Sequence, residues 1–259
     1  MTLLRVENLS IQFGGVRAIQ SLDFVINPGT IHSIIGPNGA GKTTLFNMIT
    51  GIYTPTAGDI YLDNVPITGR RPHELARMGM SRTFQNLQIM KTMTALENVM
   101  VGRHLHLNRN LFSCLLRLPS VTRGERQARK RCVELMESVG LGAYIDADAG
   151  AMPYGALKRL EIARALAAEP KLLLLDEPAA GLNATETKEI DEVIVKVARS
   201  GVTVVLVEHD MKLVMGISDH ILVLDYGRKL AEGTPEVVRA NPAVIAAYLG
   251  NLGTVSTVS

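Results

Sequence analysis

The apolar run Ile31-His32-Ser33-Ile34-Ile35 leads straight into Gly36-Pro37-Asn38-Gly39-Ala40-Gly41-Lys42-Thr43, and Leu45, Met48 and Ile49 then share one helical face. An extended segment that enters a glycine-rich turn and leaves it as a helix is an α/β element. Its unpaired backbone N–H groups converge on one point, where phosphate oxygens can collect at a helix N-terminus. Gly36, Gly39 and Gly41 allow the turn, and Lys42 supplies a point charge for β- and γ-phosphates. The Thr43 hydroxyl suits Mg²⁺, which prefers hard oxygen ligands and keeps part of its water. With the strand before, the helix after and Lys-Thr at the required offset, the segment reads as a nucleoside triphosphate site and not as a chance glycine turn.

A chain of 259 residues with 47% hydrophobic content can bury a substantial core, as one large domain or a core plus subdomain. Its formal net charge of +2 is too small to signal nucleic acid as a partner. Cys114 and Cys132 are far from a C-x-x-C spacing, and Met1-Thr2-Leu3-Leu4-Arg5 opens no secretory pattern, so a reducing cytoplasm is expected. The longest apolar stretches, such as Leu172-Leu173-Leu174-Leu175, are far short of the roughly 20 residues that span a bilayer. The expectation is a chain that does not cross a membrane but can sit on a protein that does.

Leu3 to Leu9 and Asp59 to Leu62 read as strands flanking the phosphate loop, with turns at Asn27-Pro28-Gly29 and Thr54-Pro55-Thr56-Ala57-Gly58. From Pro72 to Ala168 the pattern is mostly helical: Val133, Met136 and Glu137 precede a Gly140 stop, and Leu157, Leu160 and Ala163 share a face. Beyond it, Leu172 to Leu175, Val202 to Val207 and Ile221 to Leu224 alternate with helical patterns, the form of a parallel sheet covered on both faces. Asn183 to Ser200 is the clearest helix, with Asn183 as cap, Glu186 at the capping-box position and Ile190, Val193, Ile194 and Val197 as its apolar stripe. The expected organisation is one domain over 1–259, with a core of about 1–85 and 169–250, a helical subdomain of about 86–168 and a frayed tail over 251–259.

Asp176-Glu177 stands just past the four leucines, where open α/β sheets bind ligands. Asp176 is placed to hold Mg²⁺ through water, and Glu177 to act as base or positioning group for an attacking water. A mere acidic cap for the next helix is the alternative, but Pro178-Ala179-Ala180-Gly181 starts a helix poorly. Glu208-His209-Asp210 ends a third apolar run. A lone histidine there is structural about as often as functional, and the neighbouring phosphate loop and carboxylate pair favour function.

With these residues in view, the chain resembles the ATP-binding subunit of an ABC transporter over essentially Leu3 to Gly250. The resemblance implies an α/β P-loop NTPase fold with a parallel-sheet core, N-terminal antiparallel strands and a helical subdomain. It implies a loop of Gly36, Pro37, Asn38, Gly39, Ala40, Gly41, Lys42, Thr43 and Thr44 on the phosphates, and Mg²⁺ held by Thr43, Gln85 and Asp176. Phe13 matches the aromatic that stacks on adenine, Gln85 in Arg82-Thr83-Phe84-Gln85 the loop glutamine that senses Mg²⁺ and the membrane partner, and His209 the switch histidine. By themselves Phe13 would more often be core and Gln85 a solvated loop residue.

The family's signature segment falls on Met152-Pro153-Tyr154-Gly155-Ala156, followed by Lys158 to Leu166. Pro153 offers neither a hydroxyl nor an N–H to a γ-phosphate, and Ala156 removes an amide. Gly155 at a helix N-terminus can still attract phosphate through backbone N–H groups and the dipole. Asn183 replaces the family's terminal aspartate, keeping a capping oxygen and losing a charge. The implied assembly pairs this chain with a second ATP-binding subunit, a copy or a paralogue, each lending Gly155 to the other's ATP. Integral permease subunits and an extracytoplasmic solute-binding protein complete it, on the cytoplasmic face of the inner membrane.

Longer strings are similar to the ATP-binding component of bacterial high-affinity branched-chain amino acid importers. They are Pro153-Tyr154-Gly155, Glu177 to Asn183, Glu208 to Asp219, and Gly233-Thr234-Pro235 running to Ala247-Tyr248-Leu249-Gly250. Alternatives are the ATPase of lipopolysaccharide export, urea or amide import, or a soluble ABC clamp. The clamp's long coiled coil or second cassette is missing from the sequence, and the insertion from His104 to Arg123 favours the importer. The basic, leucine-rich segment from His104 to Arg131 reads as a solvated helical hairpin or a surface near permease and anionic headgroups. Asn86 to Glu97 is where the permease is expected, with Ile89, Met90 and Met93 as adaptable candidates for exposed apolar contacts and ordinary core packing as the alternative.

Overall fold

The computed structural model describes residues 2–106 and 119–250. β1 (Leu4–Phe13) and β2 (Val16–Ile26) form an antiparallel hairpin, which β4 (Ala57–Leu62) and β5 (Val65–Pro66) extend into a sheet of order β2-β1-β4-β5. β3 (Ile31–Ile35), β6 (Met80–Arg82), β7 (Leu172–Asp176), β8 (Thr203–Val207), β9 (His220–Asp225) and β10 (Arg228–Gly233) build the second sheet. Its order is β10-β9-β3-β8-β7-β6, parallel except for the antiparallel edge pair β9 and β10.

The helices in chain order are α1 (Lys42–Ile49), α2 (Pro72–Arg77), α3 (Ala95–Gly102), α4 (Pro119–Ser138), α5 (Tyr154–Leu166), α6 (Ala184–Arg199), α7 (Met211–Ile217), α8 (Pro235–Arg239) and α9 (Pro242–Gly250). Every residue of β3, β7 and β8 is buried, as a sheet covered on both faces requires. Their side chains alternate between two cores. Ile34, Leu172, Leu174, Val205 and Val207 pack with α1 and the antiparallel sheet, while Ile35, Leu173, Leu175, Val204 and Leu206 pack with α3, α5 and α6.

That parallel register is what assembles the site. Ile34 and Asp176 both pair with Val207, so Gly36, Glu177 and Glu208 emerge at one edge. The α6 cap also forms as read: Asn183 Oδ1 accepts from the N–H groups of Thr185 and Glu186, both at 3.0 Å, and Glu186 Oε2 accepts from Asn183 N–H at 3.1 Å.

The strand pattern is richer than the sequence suggested. β1 runs on to Phe13, and β2 was not anticipated, because Gln20, Ser21 and Asp23 break its alternation and Ser21 sits at φ 43°. β6 lies inside the stretch read as helical: its three residues acquire strand form by pairing with β7 and not from a pattern of their own. β10 was missed too, as a polar edge strand. Cys132 is buried and free, its thiol pushed up by burial. Cys114, the tail 251–259 and positions 107–118 of the insertion lie outside the described residues. Among the described residues, no helix is long and apolar enough to cross a membrane.

Candidate nucleotide-binding site

α1 begins at Lys42, so the N–H groups of Lys42, Thr43 and Thr44 have no partner in a preceding turn. Gly41 precedes them at φ 102°, where a Cβ would stand 2.7 Å from Ile19 Cδ1 and 2.8 Å from the Ala18 carbonyl oxygen. Gly36 is tighter still, with a Cβ falling 2.1 Å from the Leu224 carbonyl oxygen. Ala40 N–H donates to Pro37 O at 3.1 Å, and Ala40 O accepts from Gly227 N–H at 3.0 Å, which ties the loop to the β9–β10 turn. Lys42 is only 6% exposed, and its Nζ donates to the carbonyls of Gly36 at 2.7 Å and Pro37 at 3.0 Å. Burial draws its pKa below the ordinary lysine range, against the opposing pull of Glu177. The cavity over the loop measures about 440 Å³; residues 38–44 line it with Val16, Arg17, Glu177, His209 and Tyr226.

Glu177 is the convergence point. Its N–H donates to Val207 O at 2.9 Å, and its φ of 49° is a left-handed conformation that a non-glycine residue holds only under constraint. His209 Nε2 lies 2.9 Å from Oε1, and Gln85 Nε2 donates to Oε2 at 3.2 Å. Lys158, from α5, donates to its backbone carbonyl at 3.3 Å. Three sequence-identified residues, Gln85, Glu177 and His209, thus meet around one carboxylate facing the phosphate loop.

Asp176 is nearly buried, and Arg82 Nη2 donates to its Oδ2 at 2.8 Å. The same guanidinium donates to Asn47 Oδ1 at 2.7 Å and Thr50 Oγ1 at 2.9 Å, with the rings of Phe46 and Phe84 at 5.6 and 5.3 Å. A buried ion pair of this kind is strongly destabilising when only one partner is removed. Glu208, also buried, accepts from Ala179 N–H at 2.8 Å and His209 N–H at 3.0 Å, which sets the backbone of both loops. Arg82, Lys158 and Glu208 were not singled out from the sequence: each acts on a residue far along the chain, and no spacing rule reports that.

Among the described residues no three His, Cys, Asp or Glu side chains gather as a ligand set. Thr43 and Asp176 are hard oxygen donors, as is the Gln85 amide oxygen. Such a sparse set fits Mg²⁺ that arrives with substrate phosphates and keeps several waters.

Phe13 and Gly155 stand apart from this cluster. Phe13 is the register partner of the cavity-lining Val16 and is 46% exposed, with its ring edge-on to Tyr53 at a centroid distance of 5.2 Å. Gly155 is buried, because the capping box of α6 brings Glu186 against it, and a Cβ there would stand 2.6 Å from Glu186 Oε1. Pro153 and Tyr154 are the exposed residues at that helix start, with Tyr154 OH donating to Ala180 O at 3.4 Å.

Of the apolar candidates at 86–97, one takes the core-packing alternative and one is exposed. Ile89 packs against the core and Met90 is half-buried, leaving Met93 exposed. A largely apolar groove of about 410 Å³ lies instead between α2, β6, α3 and α5, lined by the exposed Ile52, Phe84 and Val101. Its wall includes Glu161, whose Oε1 accepts from Phe84 N–H at 3.4 Å and whose carboxyl is pushed up by burial. Arg164 on the same helix donates to Gln88 O, so α5 grips the backbone of the Gln85 loop at two points.

Comparison with known proteins bears on this arrangement. A family model described as ABC transporter matches residues 19–180, and one described as branched-chain amino acid ATP-binding cassette transporter matches residues 228–251. The high-affinity branched-chain amino acid transport ATP-binding protein BraF of Pseudomonas aeruginosa is 48% identical over 249 residues, 96% of this chain and 98% of that protein. The corresponding protein LivG of Escherichia coli has the same identity and coverage. A crystal structure of the ADP conformation of an ATP-binding cassette of an ABC transporter superposes with a TM-score of 0.85 at 33% identity, covering 96% of this chain and 99% of that one.

Proposed function

This chain belongs to the ABC transporter family, and from that premise we propose that it is the ATP-hydrolysing subunit that powers a membrane permease importing branched-chain amino acids. The observation that carries the enzymatic half is the Glu177 carboxylate, fixed by His209 and Gln85 above the phosphate loop. Phosphoryl transfer to water asks a protein for positioning and electrostatics more than for covalent chemistry. Lys42 and the loop amides bind the β- and γ-phosphates, Lys42 exchanging its carbonyl contacts for phosphate oxygens. Glu177 polarises the attacking water, His209 steadies the γ-phosphate end, and Gln85 reports on both. Mg²⁺, held by Thr43 and Asp176 with Gln85, would neutralise charge developing on the phosphates.

On this reading the core, about 1–85 and 169–250, carries the nucleotide, and the segment of about 86–168 faces a second ATP-binding subunit. Two copies, or one copy and a paralogue, close over two ATP molecules, each presenting the start of α5 to the other's phosphates. With Pro153 and Tyr154 exposed there and Gly155 buried, the partner's contribution is backbone and ring and not a serine hydroxyl. The permease docks in the groove of Ile52, Phe84 and Val101, on the cytoplasmic face of the membrane, and a solute-binding protein delivers cargo from the other side.

The solute assignment is supported by the names of relatives of near-equal length and by the match at residues 228–251. Membranes carrying this chain with its own permease and binding protein should take up labelled leucine, isoleucine or valine in an ATP-dependent way. A complex that hydrolyses ATP and moves none of the three removes the solute assignment and leaves the ATPase.

A further inference from the structure

We propose that Tyr226 contacts the nucleoside moiety of ATP and helps set selectivity for it, a role that rests on the ATP-binding reading above. Tyr226 and Gly227 are the two loop residues of the β9–β10 hairpin, since Asp225 and Arg228 are register partners. Their φ values of 43° and 75° are both positive, the signature of a type I′ turn. Asn, Asp or Gly is favoured at the first of these positions, because a bulky side chain there costs about 1–2 kcal/mol of backbone energy. A tyrosine in that place is an outlier, and local packing does not account for it: the residue is 81% exposed. Tyr226 is among the residues that line the cavity above the phosphate loop.

The turn that carries it is rigidly seated. Gly227 N–H donates to Ala40 O in the phosphate loop at 3.0 Å, and Gly227 O accepts from Gln20 N–H at 2.8 Å. A Cβ at position 227 would meet the Ala18 carbonyl oxygen at 2.3 Å, so the turn is wedged between that loop and β2. Gln20 also donates to Tyr226 O at 3.3 Å and accepts from Arg228 Nη2 at 2.8 Å. The backbone that carries Tyr226 is therefore fixed beside the phosphate loop, and its exposed ring is free to meet a ligand.

Chemistry selects the nucleoside over the phosphates. The phosphate end already has Lys42 and the loop amides, and a neutral phenol adds no charge to it. A flat aromatic face offers most to a planar base, and Val16 and Arg17 line the same cavity. Phe13, to which the family resemblance assigns adenine stacking, packs edge-on against Tyr53, and Tyr226 brings a second aromatic residue to the cavity.

The test compares the full-length wild type with Tyr226→Asn and Tyr226→Phe, titrated by calorimetry with Mg-ATP and with Mg-tripolyphosphate, which lacks base and ribose. Tyr226→Asn should weaken ATP roughly five- to tenfold, the size of one aromatic contact, and leave tripolyphosphate unchanged. Tyr226→Phe should retain ATP affinity. The thermal midpoint of Tyr226→Asn should not fall, because asparagine suits the turn, so lost affinity cannot come from unfolding. Undiminished ATP affinity in Tyr226→Asn, or equal loss for both ligands, would overturn the role; the second outcome would mean that the turn only shapes the phosphate loop. A wild-type chain that bound no ATP would instead overturn the nucleotide reading itself.

Discussion

The phosphate loop and the groove between α2, β6, α3 and α5, which on the proposed reading hold nucleotide and permease, are built on opposite terms. In the loop the working groups are backbone N–H groups, and sterics dictate the residues: a Cβ at Gly36 would stand 2.1 Å from the Leu224 carbonyl oxygen. In the groove the working groups are the side chains of Ile52, Phe84 and Val101, any of which another apolar residue of similar size could replace. A site made of backbone leaves a strict signature in the sequence; one made of apolar side chains leaves almost none. Arg82 joins the two regions. Its guanidinium holds Asp176 on the nucleotide side and lies 5.3 Å from the Phe84 ring on the groove side.

The largest effect should come from separating binding and turnover on the nucleotide side. Glu177→Gln should lower ATP hydrolysis by about 10²-fold or more, the usual worth of a positioned base, with ATP affinity retained and an ATP-bound dimer accumulating. Lys42→Ala should instead lose ATP affinity by about 10- to 100-fold, if Lys42 acts on ground-state phosphates as proposed. Nucleotide titration, steady-state hydrolysis and solution mass separate the two, and equal hydrolysis by Glu177→Gln and wild type would remove Glu177 from its role.

The groove should answer in the reverse sense. Phe84→Asp puts a charge into an apolar docking surface and should weaken assembly with the permease by about tenfold, in line with loss of a central aromatic contact. ATP affinity of the free chain should stay within about twofold of wild type if Arg82 keeps its hold on Asp176 through its other bonds. Pull-down of the detergent-solubilised complex against ATP titration of the free chain measures both. Loss of ATP affinity without loss of assembly would show that Phe84 serves the nucleotide side through Arg82.

This division explains what could be read in advance. The parallel strands and the α6 cap were legible because complete burial and end-capping restrict residue types locally, as in Leu172 to Leu175 and Asn183 with Glu186. Gln85, Glu177 and His209 could be named, but their meeting around one carboxylate depends on the β6, β7 and β8 register. β6 has three residues, too few to show an alternation of its own within a stretch of helical pattern. Burial of Gly155 was illegible because it is produced by Glu186, a residue recognised only as the helix cap. The placement of Tyr226 could have been suspected: Tyr-Gly between Ile221 to Leu224 and a polar strand is a two-residue turn with the wrong first residue.

The smallest expected effect lies beside the Glu208 to Asp210 segment. Asp191, on α6, has a buried Oδ1 with no hydrogen-bond partner, and Asp210, Glu208 and Glu192 face it. Burial first, and then these three carboxylates, push its pKa up to about 6 from 3.8. The sign follows from proton binding. Between these two values the folded chain keeps a proton that the unfolded chain has released, so stability falls as pH rises through this window and the full penalty applies above it. Asp191→Asn should therefore raise the thermal midpoint near pH 8, and the advantage should shrink as pH approaches 4. Since the side chain is partly exposed, screening limits the effect to about 1 kcal/mol or less, which is at most about 2–4 °C for a chain of this size. Thermal scans of both proteins between pH 4 and 8 measure it. A difference that stays constant across that range would mean that Asp191 carries an ordinary carboxylate and that the Glu208 to Asp210 segment is held by its hydrogen bonds alone.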